Sequence, residues 1–260
     1  MTSPLYARKA DLSSVLVRID RAKTHLNEFD NQVRPISAAC QMTRECDEQR
    51  SEYIFRLSKV PTVPPVLSAI IGDAIHNLRV SLDYLAWQLV IATGQNPPNK
   101  ETSFPVHKMS RKADQGGCIY PDIAPGVSMA FRKILDEMQP YKRSKSANHE
   151  LAVLHNLDIN DKHHELLVAI IGVKDNIISW FGDDADPIAF NDGPYNDGSE
   201  VYRFKYSGTG REFRPSARFT VRLNEPAAGP WGQMRGATDL VRRSLGYIEK
   251  EVLPRFEAFF

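Results

Sequence analysis

The chain has 260 residues, a formal net charge of +1, 42% hydrophobic residues and 25% charged residues, which is typical of a globular protein. This balance argues against a globally basic nucleic-acid-binding protein, and no apolar run is long enough for a membrane-spanning helix. The N-terminus lacks the apolar core of a signal peptide, so we expect a cytoplasmic protein. Three cysteines without a CxxC pair favour reduced thiols over a disulfide framework or a zinc site.

The first third of the chain predicts a helix, a hairpin and a second helix. Apolar residues at helical spacing predict a helix over 9–33, which Pro35 would end. Alternating runs near 38–42 and 53–57 predict a hairpin. The stretch 66–93 predicts a central helix that is apolar on nearly every side, and such a helix is buried.

The rest of the chain changes from helical to β-rich patterning. Residues 94–126 are rich in Gly and Pro and predict a long irregular excursion. Helical spacing returns at 127–138 and at 149–164. Strand-like runs then follow at 167–172, 176–181, 200–206 and 218–223, with a turn-rich loop over 183–199, before a last amphipathic helix that begins near 237.

This order of elements predicts an α+β fold. We expect a helical bundle around the central helix at about 66–93. The bundle would pack with one antiparallel sheet built from the N-terminal hairpin and the strands of 165–225. We predict a single domain over 1–260, with a helical part over 1–164, a β-rich part over 165–225 and a C-terminal helix over 237–260.

Three polar residues share one edge of the central helix. His76, Arg79 and Asp83 are spaced i, i+3 and i+7 between apolar faces. Buried charge is costly unless it is paired, so we expect a buried polar cluster. Arg79 and Asp83 could form a structural ion pair, whereas the imidazole of His76 could act as an acid, a base or a ligand. If the protein is an enzyme, these three are the candidate catalytic residues.

A second charged cluster ends the helix predicted at 149–164. This second cluster consists of Asp158, Asp161, Lys162, His163 and His164. It lies directly before an apolar strand, where it would either end the helix in solvent or form a fixed polar site. Two polar clusters in apolar surroundings are most stable when they contact each other, so we expect His76 or Arg79 to reach Asp161 or His163. For ligand binding we assign Asp161, Lys162, His163, Tyr84 and Trp87.

The sequence spacing of the possible metal-ligating side chains gives little support for a metal site. His155, Asp158 and Asp161 follow an i, i+3, i+6 progression that could suit an oxygen and nitrogen site, but no HExxH or Glu-x-x-His motif is present. The aspartates of 183–199 do not have the spacing of an EF-hand loop. We therefore expect no metal and no cofactor.

Residues 76–87, HNLRVSLDYLAW, resemble a helix of the type GD-x-x-HNLRSALDHLxW found in a group of bacterial, largely actinobacterial, and phage-encoded proteins of unassigned activity. Three further segments are similar to motifs of that group. Phe104-Pro105-Val106 is similar to its FPI loop, Gln139-Pro140-Tyr141 to its QPY helix end, and the stretch from Leu154 to Asp161-Lys162-His163 to its LxxL…DKHR junction. The resemblance covers about residues 68–165 and implies no activity.

A more distant resemblance is to HEPN ribonucleases, which are metal-independent enzymes of toxin and phage-defence systems. Their motif places a His four to six residues after an Arg on a bundle helix. Here Tyr84 occupies the matching position after Arg79, so this resemblance implies that His76 would move the proton while Arg79 stabilises a phosphate.

Three functional hypotheses follow. The first is a soluble, non-enzymatic binding or interaction protein, with a small ligand or RNA at His76 and Arg79 and no membrane partner. The second is a HEPN-like ribonuclease or a degenerate relative. The third is a metal-dependent hydrolase that uses His76, Asp83, Asp161 and His163. The sequence leaves the ligand and the oligomeric state, including a homo-oligomer, open.

Overall fold

The protein has an α+β fold, as the sequence predicts, in a computed structural model that describes residues 9–94, 97, 102–108, 129–163, 168–177, 185–190, 193–206, 216–224 and 236–260. Within these residues the α-helices are α1 (Ser13–Ala38), α2 (Val66–Ala92), α3 (Met129–Glu137), α4 (Glu150–His163) and α5 (Ala237–Tyr247). The strands are β1 (Gln41–Asp47), β2 (Glu52–Lys59), β3 (Val168–Ile177), β4 (Ala185–Phe190), β5 (Glu200–Tyr206) and β6 (Ser216–Leu223).

The described residues group into two compact units. The first takes its residues from Met1–Leu26, Ile71–Glu165 and Val241–Phe260, and the second takes them from Asn27–Ile70 and Leu166–Leu240. The first unit contains α3, α4 and most of α2, and the second contains all six described strands. A single domain over the whole chain stays a prediction.

The predicted central helix is confirmed as α2, and one side of it is fully buried. The buried side chains are Ile71, Ala74, Ile75, Leu78, Leu82, Leu85 and Leu89. The other apolar side differs from the expectation, because Tyr84 is 36% exposed and Val80, Trp87 and Ile91 are half-buried. The helix therefore has one core face and one apolar face that solvent reaches.

The described strands form two antiparallel sheets, where the sequence predicted one. One sheet has four strands in the order β1-β2-β5-β4, and the other pairs β3 with β6. The hairpin is confirmed as β1 and β2, and it joins the later strands through β5. Phe55 of β2 and Phe204 of β5 pack edge to face at 6.1 Å in the core of the second unit.

Several element boundaries correct the sequence prediction. Helix α1 begins at Ser13 and continues past Pro35 to Ala38, because proline removes one helical hydrogen bond without preventing the last turn from closing. The predicted loop 183–199 contains β4, whose pairing with β5 overrides the weak strand propensity of its sequence. The described residues of the two runs predicted at 167–172 and 176–181, which are 168–172 and 176–177, lie in the single strand β3.

Parts of several predicted segments lie outside the described residues. Of the excursion at 94–126, the structure describes residues 94, 97 and 102–108. Residues 178–184 and 191–192 lie outside it as well. In the described part of the chain, no helix is long and apolar enough to cross a membrane.

Candidate functional site

Arg79 and Asp83 lie one helical turn apart on α2 and together hold the backbone of Phe104. Arg79 Nη1 forms an ion pair with Asp83 Oδ1 at 2.9 Å, and Arg79 Nη2 donates to the Phe104 carbonyl at 3.0 Å. The Phe104 N–H donates to the same Asp83 oxygen at 2.9 Å. The Arg79 side chain is 7% exposed, so this guanidinium is paired inside the protein rather than presented to solvent.

A buried glutamine holds the next residues of the same segment. Gln139 Nε2 donates to the Pro105 carbonyl at 3.0 Å, and the His107 N–H donates to Gln139 Oε1 at 2.9 Å. The Tyr141 N–H donates to the His107 carbonyl at 3.2 Å. We call residues 104–107 with Arg79, Asp83 and Gln139 the clamp, since their hydrogen bonds fix an irregular segment that has no strand partner.

His76 contacts the helix α4 through Asp158. His76 Nδ1 lies 3.1 Å from Asp158 Oδ1, and Lys162 Nζ donates to Asp158 Oδ2 at 2.6 Å. The Asp158 side chain is 3% exposed, whereas that of His76 is 46% exposed. The prediction of a buried His76 is therefore wrong: the Asp158 carboxylate is buried, and the more exposed His76 and Lys162 side chains cover it.

The two clusters meet through Asp158 of the second cluster, rather than through Asp161 or His163. Among the described residues, no hydrogen bond or ion pair joins His76 or Arg79 to Asp161 or His163, and His163 is exposed at the end of α4. Asp161 packs against α2 at Gly72, where a Cβ would lie 2.7 Å from Asp161 Oδ1. Burial, together with the charge of nearby Asp158, raises the pKa of Asp161.

His155, whose spacing with Asp158 and Asp161 suggested only a metal ligand, is a further residue of this site. It lies on α4, and its buried Nδ1 atom has no hydrogen-bond partner within the described ranges. Burial lowers the pKa of His155 to about 4, and the nearby Arg79 guanidinium adds to this effect. His155 is therefore neutral at pH 7. The sequence of α4 alone could not show that His155 lies near Arg79, because Arg79 belongs to a different helix, α2.

A cleft opens beside the clamp on the solvent-reached face of α2. Its volume is about 450 Å³, within the range of small-ligand pockets. Its described lining consists of Ser14, Asp83, Tyr84, Trp87, Gln88 and Thr102. The start of α1 covers one side, where the Asp11 N–H donates to Gln88 Oε1 at 3.1 Å.

Arg18 fixes one wall of this cleft. Its Nη2 donates to the Tyr84 hydroxyl at 3.2 Å, and its guanidinium carbon lies 5.4 Å from the centre of the Tyr84 ring. Its Nη1 donates to Asn77 Oδ1 at 3.1 Å. The phenol is thus held in place by a cation–π contact and a hydrogen bond, so the wall is preorganised.

The predicted site residues consequently divide into three places. Arg79 and Asp83 belong to the clamp, and Tyr84 and Trp87 line the cleft with Asp83. His76 and Lys162 cover Asp158. The described residues contain no group of three or more His, Cys, Asp or Glu side chains that could hold a metal ion, so the four residues of the hydrolase hypothesis do not form such a group.

In comparisons with known proteins, no protein-family model, no curated protein and no solved structure matches this chain.

Proposed function

We propose that this chain is a non-enzymatic binding protein whose cleft on α2 takes a small planar ligand. The cleft is the observation that carries the proposal, since it combines a volume of about 450 Å³ with two aromatic side chains, Tyr84 and Trp87. Aromatic walls favour flat ring systems because stacking adds to the burial of apolar area. A cytoplasmic location, a bacterial or phage origin and a homo-oligomeric state stay predictions.

The geometry favours binding over the ribonuclease alternative. A phosphate-stabilising arginine needs free N–H groups that face the substrate. Here Arg79 Nη1 and Nη2 contact Asp83 and the Phe104 carbonyl, and the side chain is buried. His155 near Arg79 favours the ribonuclease, but cleavage would first require the clamp to open. Metal-independent cleavage of single-stranded RNA that is lost in Arg79→Ala would overturn the binding proposal.

A ligand screen with the full chain tests the proposal. Planar bicyclic heteroaromatic compounds and saturated rings of the same size are titrated against the protein, and the shift in thermal unfolding temperature is measured. We expect the planar compounds to stabilise the protein and Trp87→Ala to remove the effect. Ile159→Ala is the matched control, because Ile159 is 41% exposed on α4, away from the cleft lining.

Two results would contradict this function. Either no planar compound raises the unfolding temperature, or Trp87→Ala binds the compounds as well as the wild-type protein. Far-ultraviolet circular dichroism on both variants separates a loss of binding from a loss of folding.

A further inference from the structure

Asp83 contributes the one charged side chain of the described cleft lining. The other lining residues are Ser14, Tyr84, Trp87, Gln88 and Thr102, which are neutral. The Asp83 side chain is 32% exposed, in contrast to the buried Arg79 with which it pairs. This carboxylate therefore belongs both to the clamp and to the cleft.

The two oxygens of Asp83 are used unequally. Oδ1 forms the ion pair with Arg79 and also accepts the hydrogen bond from the Phe104 N–H. No residue that the structure describes donates a hydrogen bond to Oδ2. Burial raises the pKa of Asp83 even though Arg79 and the Phe104 N–H lower it, so the ionised carboxylate is incompletely compensated. One further donor would stabilise it.

The neighbouring charges limit what that donor can be. Arg79 already supplies a positive charge to Asp83, and the Arg18 guanidinium lies over the Tyr84 ring in the cleft wall. A ligand with a full positive charge that stacked on Tyr84 would be repelled by both arginines. A neutral N–H group meets no such repulsion and still gains a charge-assisted hydrogen bond.

We infer that the ligand of this cleft is a neutral, planar heteroaromatic ring with an amino group, stacked by Tyr84 and Trp87 and donating an N–H to Asp83 Oδ2. This inference rests on the proposed binding function and adds the chemical class of the ligand. The clamp supplies the specificity, because Arg79 and the Phe104 N–H hold Oδ1 and thereby orient the second oxygen.

Two probes of equal shape test the inference. 2-Aminobenzothiazole and 2-methylbenzothiazole differ in one amino group, and the dissociation constant of each is measured with the full chain by calorimetry. We expect the amino compound to bind roughly ten- to a hundredfold more tightly, as for a hydrogen bond to a charged group. Asp83→Asn should abolish this preference, since its amide would present N–H groups to the ligand. Asp73→Asn, an exposed position on the same helix, should keep it.

A measurement on the wild-type protein covers the case in which Asp83→Asn does not fold. The Phe104 amide donates to the same carboxylate, so its ¹H–¹⁵N resonance should shift with the amino probe and much less with the methyl probe.

The outcomes separate the two proposals. If both probes bind equally and both lose affinity in Trp87→Ala, the binding function stands and the inference is wrong. A preference that survives in Asp83→Asn also overturns the inference. If neither probe nor any other planar compound binds, the binding function and the inference both fail.

Discussion

Replacing Asp83 with alanine should destabilise the protein strongly, because the clamp depends on this carboxylate. The change removes the 2.9 Å ion pair with Arg79 and the acceptor of the Phe104 N–H. Arg79 would keep its bond to the Phe104 carbonyl but would remain a charge in a nearly buried position.

The expected size follows from the exposure of the two side chains. Removing one partner of a buried ion pair costs about 3–5 kcal/mol. The Asp83 side chain is 32% exposed, so water replaces part of what Arg79 loses. We therefore expect the free energy of unfolding to fall by about 2–4 kcal/mol. Asp73→Ala, on the exposed side of the same helix, should stay within about 0.5 kcal/mol of wild type.

Urea unfolding gives the free energy of unfolding of both variants, and the two values can be compared if the m-values are equal. A double-mutant cycle with Arg79→Met isolates the pair, and we expect a coupling of at least about 1 kcal/mol. Equal midpoints for Asp83→Ala and Asp73→Ala would refute the reasoning, since they would mean that Arg79 does not depend on Asp83.

Two further predictions concern other buried groups. The pKa of His155 falls from 6.5 in the unfolded chain to about 4 in the folded protein, so between these values the unfolded state binds more protons and stability drops as the pH falls. We expect His155→Gln to reduce this loss of unfolding free energy by about 2–3 kcal/mol, measured by urea unfolding at pH 7 and at pH 4. If the free energy of unfolding of the variant depended on pH as that of the wild type does, His155 would be charged or exposed in the folded protein. Gly172→Ala should cost about 1–3 kcal/mol, because its Cβ would overlap the side chain of the buried Arg222 at Nε. Gly246→Ala is the control: its Cβ meets nothing within 4 Å on α5, so it should be neutral or stabilising, and equal losses in the two variants would contradict the packing argument.

The elements that sequence patterning predicted well are those whose signal is local. The central helix was predicted at 66–93 and is observed as Val66–Ala92, and the strand predicted at 200–206 is observed as Glu200–Tyr206. Both rest on periodicity over a short stretch, which the chain carries by itself. The strand β4 has no such signal, and its pairing with β5 is a long-range property.

The candidate site likewise combines features that local sequence patterns predict with features that depend on long-range packing. Helical spacing correctly placed Arg79 beside Asp83, since residues four apart on a helix are neighbours. It could not show that the Phe104 backbone would form hydrogen bonds with both side chains. It also could not show that His76 would contact Asp158 rather than Asp161, because that choice depends on how α4 packs against α2.

Local patterning predicts the α+β class, the position of α2 and the residues that share its polar edge, because helix and strand periods arise from neighbouring residues. The packed structure adds that the strands divide between two sheets, that Arg79 is buried within the clamp, and that Tyr84 and Trp87 line a cleft. Each of these depends on contacts between residues far apart in the chain. Burial and hydrogen bonding depend on how the helices pack. They therefore distinguish a structural polar residue from a ligand-binding one only in the folded protein.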